Sequence, residues 1–439
     1  MIQDTIFDIE KHYSLYKYEV NGVSVWDGIR YDVIAYITAQ GINDRSTKNG
    51  KQSINTLLSF FVACIAEIRT YISLIILPRK KRDYLLFISS RYHNGKNSFD
   101  RQVFPVLREI PQKRRTIIEF QTGAKYSDPH YADAAPLYFR LHNKSFKISI
   151  ECAENISSII NEGFGHFVIS KEIIQSFIRR FLSNNTYYLL LFKRIQPKKI
   201  IVSHGRFKSI CFAANQLNIP VVLFQHALIF EDDFALANTC PNRSMGHFPN
   251  KLLTYGSYWG GYMKKLVDVS VVGNMFLSHR IEGKAGDSIL VISTAQQGLF
   301  LSPVINSFAR SNPGINVIYR LHPAEFCLKE KYEDLFRGCG NVLIMKDELS
   351  LEESIAQCRV VVGIFSTALF EALHNNRIVA VLEELKYQTY ESHLKGLDNV
   401  YFFKDANELS LLVNIKAVQS RVTFFEPLNE SVLQESITI

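Results

Sequence analysis

Cysteine is scarce and scattered in this chain of 439 residues: seven in all, at 64, 152, 211, 240, 327, 339 and 358, with no C-x-x-C pair. An odd, dispersed set excludes a disulfide framework and a zinc knuckle, and it suits a reducing compartment. Charge of one sign is not in large excess either. Lys plus Arg exceeds Asp plus Glu by 50 to 42, a formal net charge of +8. That balance fits an anionic ligand or a membrane surface better than nucleic acid. Low-complexity runs and short-period repeats are missing. A composition 47% hydrophobic and 21% charged excludes a disordered or collagenous chain.

No long apolar run is free of charge. The nearest, INTLLSFFVACIAEIRTYISLIIL at 54–77, carries Glu67 and Arg69 at its middle. Each would cost roughly 3 kcal/mol at a bilayer centre, so a span is not expected. Two readings of 54–77 remain: a buried core helix, or a helix lying in the membrane interface. The second draws on the run Arg79-Lys80-Lys81-Arg82 directly after it, because clustered bases beside an apolar helix attract anionic lipid. The opening MIQDTIFDIEKHYSLYK lacks the basic-then-apolar order of a signal peptide. The expectation is a cytoplasmic protein, with 54–82 as the segment that would bring it to the inner membrane. Familiar catalytic signatures are missing too. There is no GxxxxGK[ST], no GxGxxG opening a helix after a strand, no GxSxG elbow and no HExxH.

What is present is alternation. DYLLFISS (83–90), RTIIEFQT (115–122), KIIVSH (199–204) and VVLFQHA (221–227) read as buried parallel strands. Helical periodicity fills 171–194 and 207–218, the latter stopped by Asn218 and Pro220. After a stretch of mixed character near 235–285 the pattern restarts. SILVISTA (288–295), INVIYRLHP (315–323), NVLIMKD (341–347), RVVVGIFST (359–367), RIVAVLEE (377–384) and NVYFFKD (399–405) are strand candidates, with helices at 349–358 and 367–375 among them. Alternating β and α with near-continuous apolar strands predicts an α/β chain of parallel sheets covered on both faces. Two such units in series, joined around 265–285, predict two domains with a cleft between. Ligands of open α/β sheets bind outside the carboxyl ends of the strands, so polar residues there are the first suspects.

Three strand ends carry them. Arg320-Leu321-His322-Pro323-Ala324-Glu325 closes one strand. Pro323 disfavours the α region for its predecessor and holds His322 extended. Arg320 lies two residues back on the same face, and the pair could bond and neutralise a phosphate; alternatively His322 is an ordinary turn residue. Gly363-Ile364-Phe365-Ser366-Thr367 runs from a buried strand into a strong helix former, with Glu371 one turn in. Ser366 or Thr367 at a helix start offers free N–H groups and a favourable dipole to an anion, and Glu371 could accept from ribose hydroxyls; simple capping with a solvated Glu371 is the plain alternative. Together the two ends can converge on one phosphate. The third is Gln225-His226, followed by Glu231, Asp232 and Asp233, beside His204-Gly205-Arg206 on the neighbouring strand. A His or carboxylate there could deprotonate an acceptor hydroxyl, or the same groups could make local hydrogen bonds only.

RLHP followed by GIFSTALFEAL resembles the C-terminal half of bacterial polysaccharide glycosyltransferases with the GT-B fold, among them sialyltransferases, Kdo transferases and CDP-glycerol transferases. PVVLFQHALI and then FPNKLLTYGSYW (248–259) is similar to the "QHG…FPD…[FY]G-x-YW" region of capsule-synthesis proteins, with Ala227 in place of the usual Gly. The resemblance runs over roughly 199–405. It implies two Rossmann-like domains facing each other across a cleft. The acceptor side would be 1–270, the nucleotide-sugar side 271–410, and a tail at 411–439 would return to the N-terminal domain. It implies a cytoplasmic transferase that takes a sugar from a nucleotide-sugar donor, first choice a CMP-linked acidic sugar, to an oligosaccharide or lipid-linked glycan acceptor of a capsule or O-antigen. No cofactor or metal and no nucleic acid enter this picture. His322 would stabilise the leaving phosphate with Arg320 and Pro323 beside it, Ser366 and Thr367 would bind the phosphate, and Glu371 the ribose. His226, Glu231, Asp232 and Asp233 are the candidates for base or nucleophile, with His204, Arg206 and Gln225 on the acceptor side. A glycerophosphotransferase, a nucleotide-sugar epimerase of the same fold and a non-catalytic lipid-binding module are the rivals.

Overall fold

A computed structural model describes residues 2–43, 81–89, 92–94, 97–120, 134–136, 150–205, 207–230, 245–261, 263, 267–281, 286–294, 298–383 and 388–439. The segment 54–77 lies outside them, as do Arg79, Lys80, Arg206, Glu231, Asp232 and Asp233. The described chain divides into two compact units. The first comprises 1–254, 260–272 and 429–439, and the second comprises 255–259 and 273–428. The stretch beyond 410 is therefore shared, with 411–428 in the second unit and 429–439 in the first.

In the first unit seven strands form one parallel sheet: β1 (Tyr84–Ile88), β2 (Arg115–Glu119), β3 (Ala134–Pro136), β4 (Lys199–Val202), β5 (Val221–Phe224), β6 (Lys251–Thr254) and β7 (Asp268–Val271). Their order is β7-β6-β5-β4-β1-β2-β3, all pairs parallel. Strands β6 and β7 fall in the stretch that reads as mixed character. At four residues each, with β7 (DVSV) polar at alternate positions, they give no continuous apolar signal. Helices α1 (Ile2–His12), α2 (Trp26–Asn43), α4 (Ile150–Phe164) and α5 (Lys171–Ile195) build a second core of their own, which the strand-led reading of the sequence does not foresee. Inside that core Glu10 accepts from Arg30 Nε at 2.6 Å, Arg30 Nη2 at 2.8 Å and Trp26 Nε1 at 2.7 Å. The short α3 (Phe104–Glu109), α6 (Lys208–Asn215) and the C-terminal α10 (Glu430–Ile437) complete this unit's described frame. Among the described residues no helix is long and apolar enough to cross a membrane.

Six parallel strands form the sheet of the second unit: β8 (Ser288–Ile292), β9 (Val317–Arg320), β10 (Val342–Met345), β11 (Cys358–Gly363), β12 (Ile378–Leu382) and β13 (Val400–Phe403), in the order β10-β9-β8-β11-β12-β13. Helices α7 (Gly298–Ser311), α8 (Leu351–Ala356) and α9 (Thr367–His374) follow β8, β10 and β11. Each sheet thus starts at an inner strand, grows to one edge, returns and grows to the other. That is the doubly wound order of dinucleotide-binding folds, and its ligand crevice lies where the order reverses. The reversal falls between β1 and β4 in the first sheet and between β8 and β11 in the second. Buried Val, Ile and Leu fill β8, β11 and β12 on both faces, as a parallel sheet clad by helices requires.

Candidate functional site

In the second unit the predicted residues come together at one end of one sheet. Arg320 ends β9, and Ser366-Thr367 follow β11; the two strands flank β8 on either side. His322 is extended (φ −65°, ψ 144°) ahead of Pro323, as an X-Pro residue should be. Its Nδ1 accepts from Ala324 N at 3.1 Å. That bond assigns the neutral ring's proton to Nε2, so the nitrogen left for other work is a donor. Arg320 Nη1 donates to the Leu349 carbonyl and, at 3.3 Å, to Ser354 Oγ, tying the end of β9 to α8. Burial lowers the Arg320 pKa, and the charges of Asp347, Glu348, Glu353 and Glu371 act against that. Glu371 therefore lies within reach of the Arg320 field, and α9 and the β9 terminus share one electrostatic neighbourhood.

Ser366 is the N-cap of α9, its hydroxyl accepting from Ala368 N at 3.2 Å. Thr367 and Glu371 are half-buried and four apart, on one helix face. The capping alternative and the anion-site alternative are compatible, since the cap uses a hydroxyl lone pair and leaves the hydroxyl proton to donate.

A network beneath His322 carries no local sequence signal. Glu325, buried, receives Ser293 Oγ–H from the end of β8 and Tyr332 O–H at 2.8 Å, and its own N–H turns back to the His322 carbonyl at 2.7 Å. Burial raises the Tyr332 and Tyr319 phenols, which stay protonated donors. Tyr319 O–H donates to the Gly298 carbonyl at 2.9 Å. A Cβ on Gly298 would stand 2.2 Å from Tyr332 Oη and 2.3 Å from Ser293 Oγ, so only glycine lets α7 start this close to β8. The glutamate three residues past His322 was in plain view. What made it matter, Ser293 and Tyr332, lies 32 residues upstream and seven downstream.

In the first unit His204, Gln225 and His226 do meet at the carboxyl ends of adjacent strands. The His204 ring lies 4.4 Å from Phe120 at 20° and 6.5 Å from His226 at 8°, a tier of three near-parallel rings. Gln225 is buried and donates to the Ala227 carbonyl at 3.0 Å. A carboxylate that the sequence reading passes over, Asp100, sits at this sheet's reversal. It is fully buried, and it accepts from Ser89 N at 2.9 Å, Gln102 N at 3.0 Å, Val103 N at 3.1 Å and Ser203 Oγ. Desolvation raises its pKa to about 6 against those four bonds, which pull it down.

The stretch YGSYW serves packing. Trp259 is fully buried and donates Nε1–H to the Phe424 carbonyl at 2.6 Å. Gly256 approaches that same carbonyl so closely that a Cβ would stand 2.8 Å from it. Ser257 N donates to Glu426 Oε1 at 2.7 Å. Among the described residues no group of three or more His, Cys, Asp or Glu is placed to hold a metal ion.

Residues 284–391 match the model of the family described as capsule polysaccharide biosynthesis protein, a span that includes β8 to β12 and every candidate of the second unit. No curated protein sequence matches the chain. Among solved structures it is similar to the UDP-GlcNAc 2-epimerase of Neisseria meningitidis bound to UDP-GlcNAc. That match has 12% identity and TM-score 0.51, and covers 82% of this chain and 99% of that one. It is also similar to the Methanocaldococcus jannaschii UDP-GlcNAc 2-epimerase in complex with UDP-GlcNAc and UDP (13%, 79% and 96% covered, TM-score 0.47). A third likeness is to the calicheamicin glycosyltransferase (10%, 77% and 91% covered, TM-score 0.48). The Neisseria likeness is one of fold, and with the strand orders above it makes this an α/β chain of two Rossmann-like units in the GT-B architecture.

Proposed function

We propose that the protein is a glycosyltransferase of bacterial capsule or related surface-polysaccharide synthesis, working on a nucleotide-activated donor held by the second unit. One observation carries the reading. The two strand ends loaded with phosphate-compatible groups, Arg320–His322 and Ser366–Thr367, flank β8 at the reversal of a single doubly wound sheet. The family match over 284–391 supports the capsule context.

In this reading the donor phosphate takes hydrogen bonds from His322 Nε2–H, from the Ser366 and Thr367 hydroxyls and from the first free N–H groups of α9. The bond from the anomeric carbon to the phosphate oxygen breaks, and the acceptor hydroxyl forms the new one. Its proton goes to a base, for which the sequence offers His226, Glu231, Asp232 and Asp233. Charge on the departing nucleotide is met by preorganised protein donors, which removes the need for a metal. Glu371 accepts from the ribose. The first choice of donor remains a CMP-linked acidic sugar; a CDP-glycerol donor would use the same phosphate contacts. Epimerisation is the second reading, because it needs the same nucleotide pocket and no acceptor.

Thermal-shift measurements with CMP-, CDP-, UDP- and GDP-linked donors identify the nucleotide, and incubation with and without acceptor separates the reactions. Transfer requires acceptor, whereas an isomer formed from donor alone would establish the epimerase. His322→Ala should fold normally and slow the reaction on the order of a hundredfold or more. Rates within about threefold of wild type would remove His322 from the mechanism.

A further inference from the structure

The carboxyl ends of the strands carry the candidate chemistry; the amino ends of the first sheet carry something else. Strands β4, β1 and β2 are neighbours in register, Tyr84 opposite both Lys199 and Arg115. The segments that lead into them are Lys81-Arg82-Asp83, Lys113-Arg114-Arg115 and Lys193-Arg194-Ile195-Gln196-Pro197-Lys198-Lys199. They hold nine Lys or Arg against one Asp, an excess equal to the +8 of the whole chain. Packing brings them onto one edge. Arg82 Nη1 donates to the Lys113 carbonyl at 2.8 Å, and Arg82 N donates to the Ile195 carbonyl at 3.3 Å, which sets the end of α5 beside it. The single acid, Asp83, is shared between Arg114 Nε at 2.7 Å and Lys198 Nζ at 3.0 Å, and those contacts lower its pKa. It neutralises one of its two partners and leaves the surplus standing.

Two bases are otherwise engaged. Arg115 is buried, donating to the Leu107 and Ile110 carbonyls at 2.5 and 2.6 Å. Lys199 turns to the Ser436 and Thr438 carbonyls at the end of α10. Of the other seven, Lys81, Lys113, Arg114, Lys193 and Lys198 are exposed and Arg82 and Arg194 half-exposed. Seven cations gathered where the chain enters three adjacent strands, which run about 4.8 Å apart, make a plate of positive charge.

We infer that this plate is a docking face for an anionic lipid surface. Charge spread over three strands suits an extended layer of anionic headgroups better than one small ligand. In the sequence, Lys81 is preceded by two further bases, Arg79 and Lys80, and before Pro78 by 24 largely apolar residues. A soluble polyanion would gain nothing from that neighbour, while a membrane offers both a charged plane and an apolar interior. The inference does not depend on which sugar is transferred.

Sedimentation of the full-length protein with vesicles tests it. Vesicles with a third phosphatidylglycerol should bind at low salt, and binding should fall as salt rises, since the attraction is screened within about 8–10 Å. Pure phosphatidylcholine should bind far less. Each neutralised base should weaken binding roughly fivefold, so Lys81→Gln, Lys113→Gln and Lys193→Gln together should cost about a hundredfold. The control removes the same charge from the second unit: Lys331→Gln, Lys395→Gln and Lys416→Gln, all exposed. It should cost less than threefold. Equal losses in the two triple variants would reduce the effect to net charge and overturn the face. So would wild-type protein that ignores phosphatidylglycerol at low salt or binds both vesicle types equally.

Discussion

Apart from the first sheet's additional edge strand β7, the two sheets share one strand order and treat its reversal point differently. In the first unit a protein carboxylate stands at the reversal. Asp100 ties Ser89, after β1, to Ser203, after β4, and takes two more N–H groups of its own loop. In the second unit the buried carboxylate is Glu325, and it lies to one side. It holds Ser293, after β8, to the loop that follows β9. The far side of β8 is left to a half-exposed Ser366 and the start of α9. A doubly wound sheet ordinarily takes its ligand at that reversal. One unit has filled the position with its own anion and the other has supported its flank. Identical topology therefore says where a ligand could sit, and the buried polar residues decide which unit takes one there.

The largest expected effect breaks the comparison on the first unit's side. Its extra helical core is organised around Glu10, which receives two bonds from Arg30 and one from Trp26, with both partners of the ion pair almost fully buried. Breaking one side of such a pair leaves an uncompensated buried charge, at a cost of about 3–5 kcal/mol. Glu10→Gln should show that loss in urea unfolding. Replacing both partners, Glu10→Met with Arg30→Met, should be much milder. A loss below about 1 kcal/mol for the single variant would mean that apolar packing alone holds this layer.

Much of the fold was legible because its signals are local. The ten strand candidates each overlap a strand, and 171–194 is α5 to within one residue. Strands β3, β6 and β7 were missed because AAP, KLLT and DVSV are three or four residues long with at most two consecutive large apolar positions. Of the helical layer only α5 was read; α1, α2 and α4 were missed because their apolar stripes meet one another and no strand marks their place. The site divides in the same way. His322 and Ser366 announce themselves through the residue next door, Pro323 in one case and a helix former in the other. Asp100 and Ser293 also depend on partners 103 and 32 residues away, and no spacing rule reaches that far. The Tyr-Gly-x-Tyr-Trp stretch shows the converse: a conspicuous motif whose described contacts include Phe370, Phe424, Phe425 and Glu426, in the service of packing.

The next effect tests whether Asp100 fills the reversal point of the first sheet. Its carboxyl is raised by burial to about 6, above the ordinary 3.8. A raised folded-state value means the native state binds the proton more tightly than the unfolded chain. Stability from this group is therefore present below about 3.8 and is lost as pH rises through about 6. The shift corresponds to about 3 kcal/mol. Wild type minus Asp100→Asn, followed by unfolding from pH 4 to 7, isolates it: the wild type should lose ground by about that amount across the window. A flat difference would place the ordinary carboxylate value on Asp100 and return the reversal point to solvent.

The smallest effect on stability is the most informative about function, because it compares caps across the two units. Ser366 caps α9 and Ser170 caps α5, each hydroxyl accepting a backbone N–H, at 3.2 and 3.4 Å. As caps they are alike, and either Ser→Ala should cost about 1 kcal/mol of stability. They differ in what surrounds them. Ser366 stands at the reversal of the second sheet, with Thr367 next to it and Glu371 one turn on, the latter within the field of Arg320. Ser366→Ala with Thr367→Ala should therefore raise the donor nucleotide's dissociation constant about tenfold, on the basis of about 1.4 kcal/mol for the lost hydroxyl contacts, while Ser170→Ala leaves it unchanged. Glu371→Gln completes the comparison by separating phosphate from sugar. A carboxylate that accepts from ribose hydroxyls should matter less to a 2′-deoxynucleotide, so the variant should weaken the ribonucleotide more than its deoxy counterpart. Calorimetric titration of both nucleotides reads all three variants. Equal losses for the two nucleotides would leave Glu371 a helix residue, and a Ser366 and Thr367 variant that binds like wild type would reduce the start of α9 to a cap.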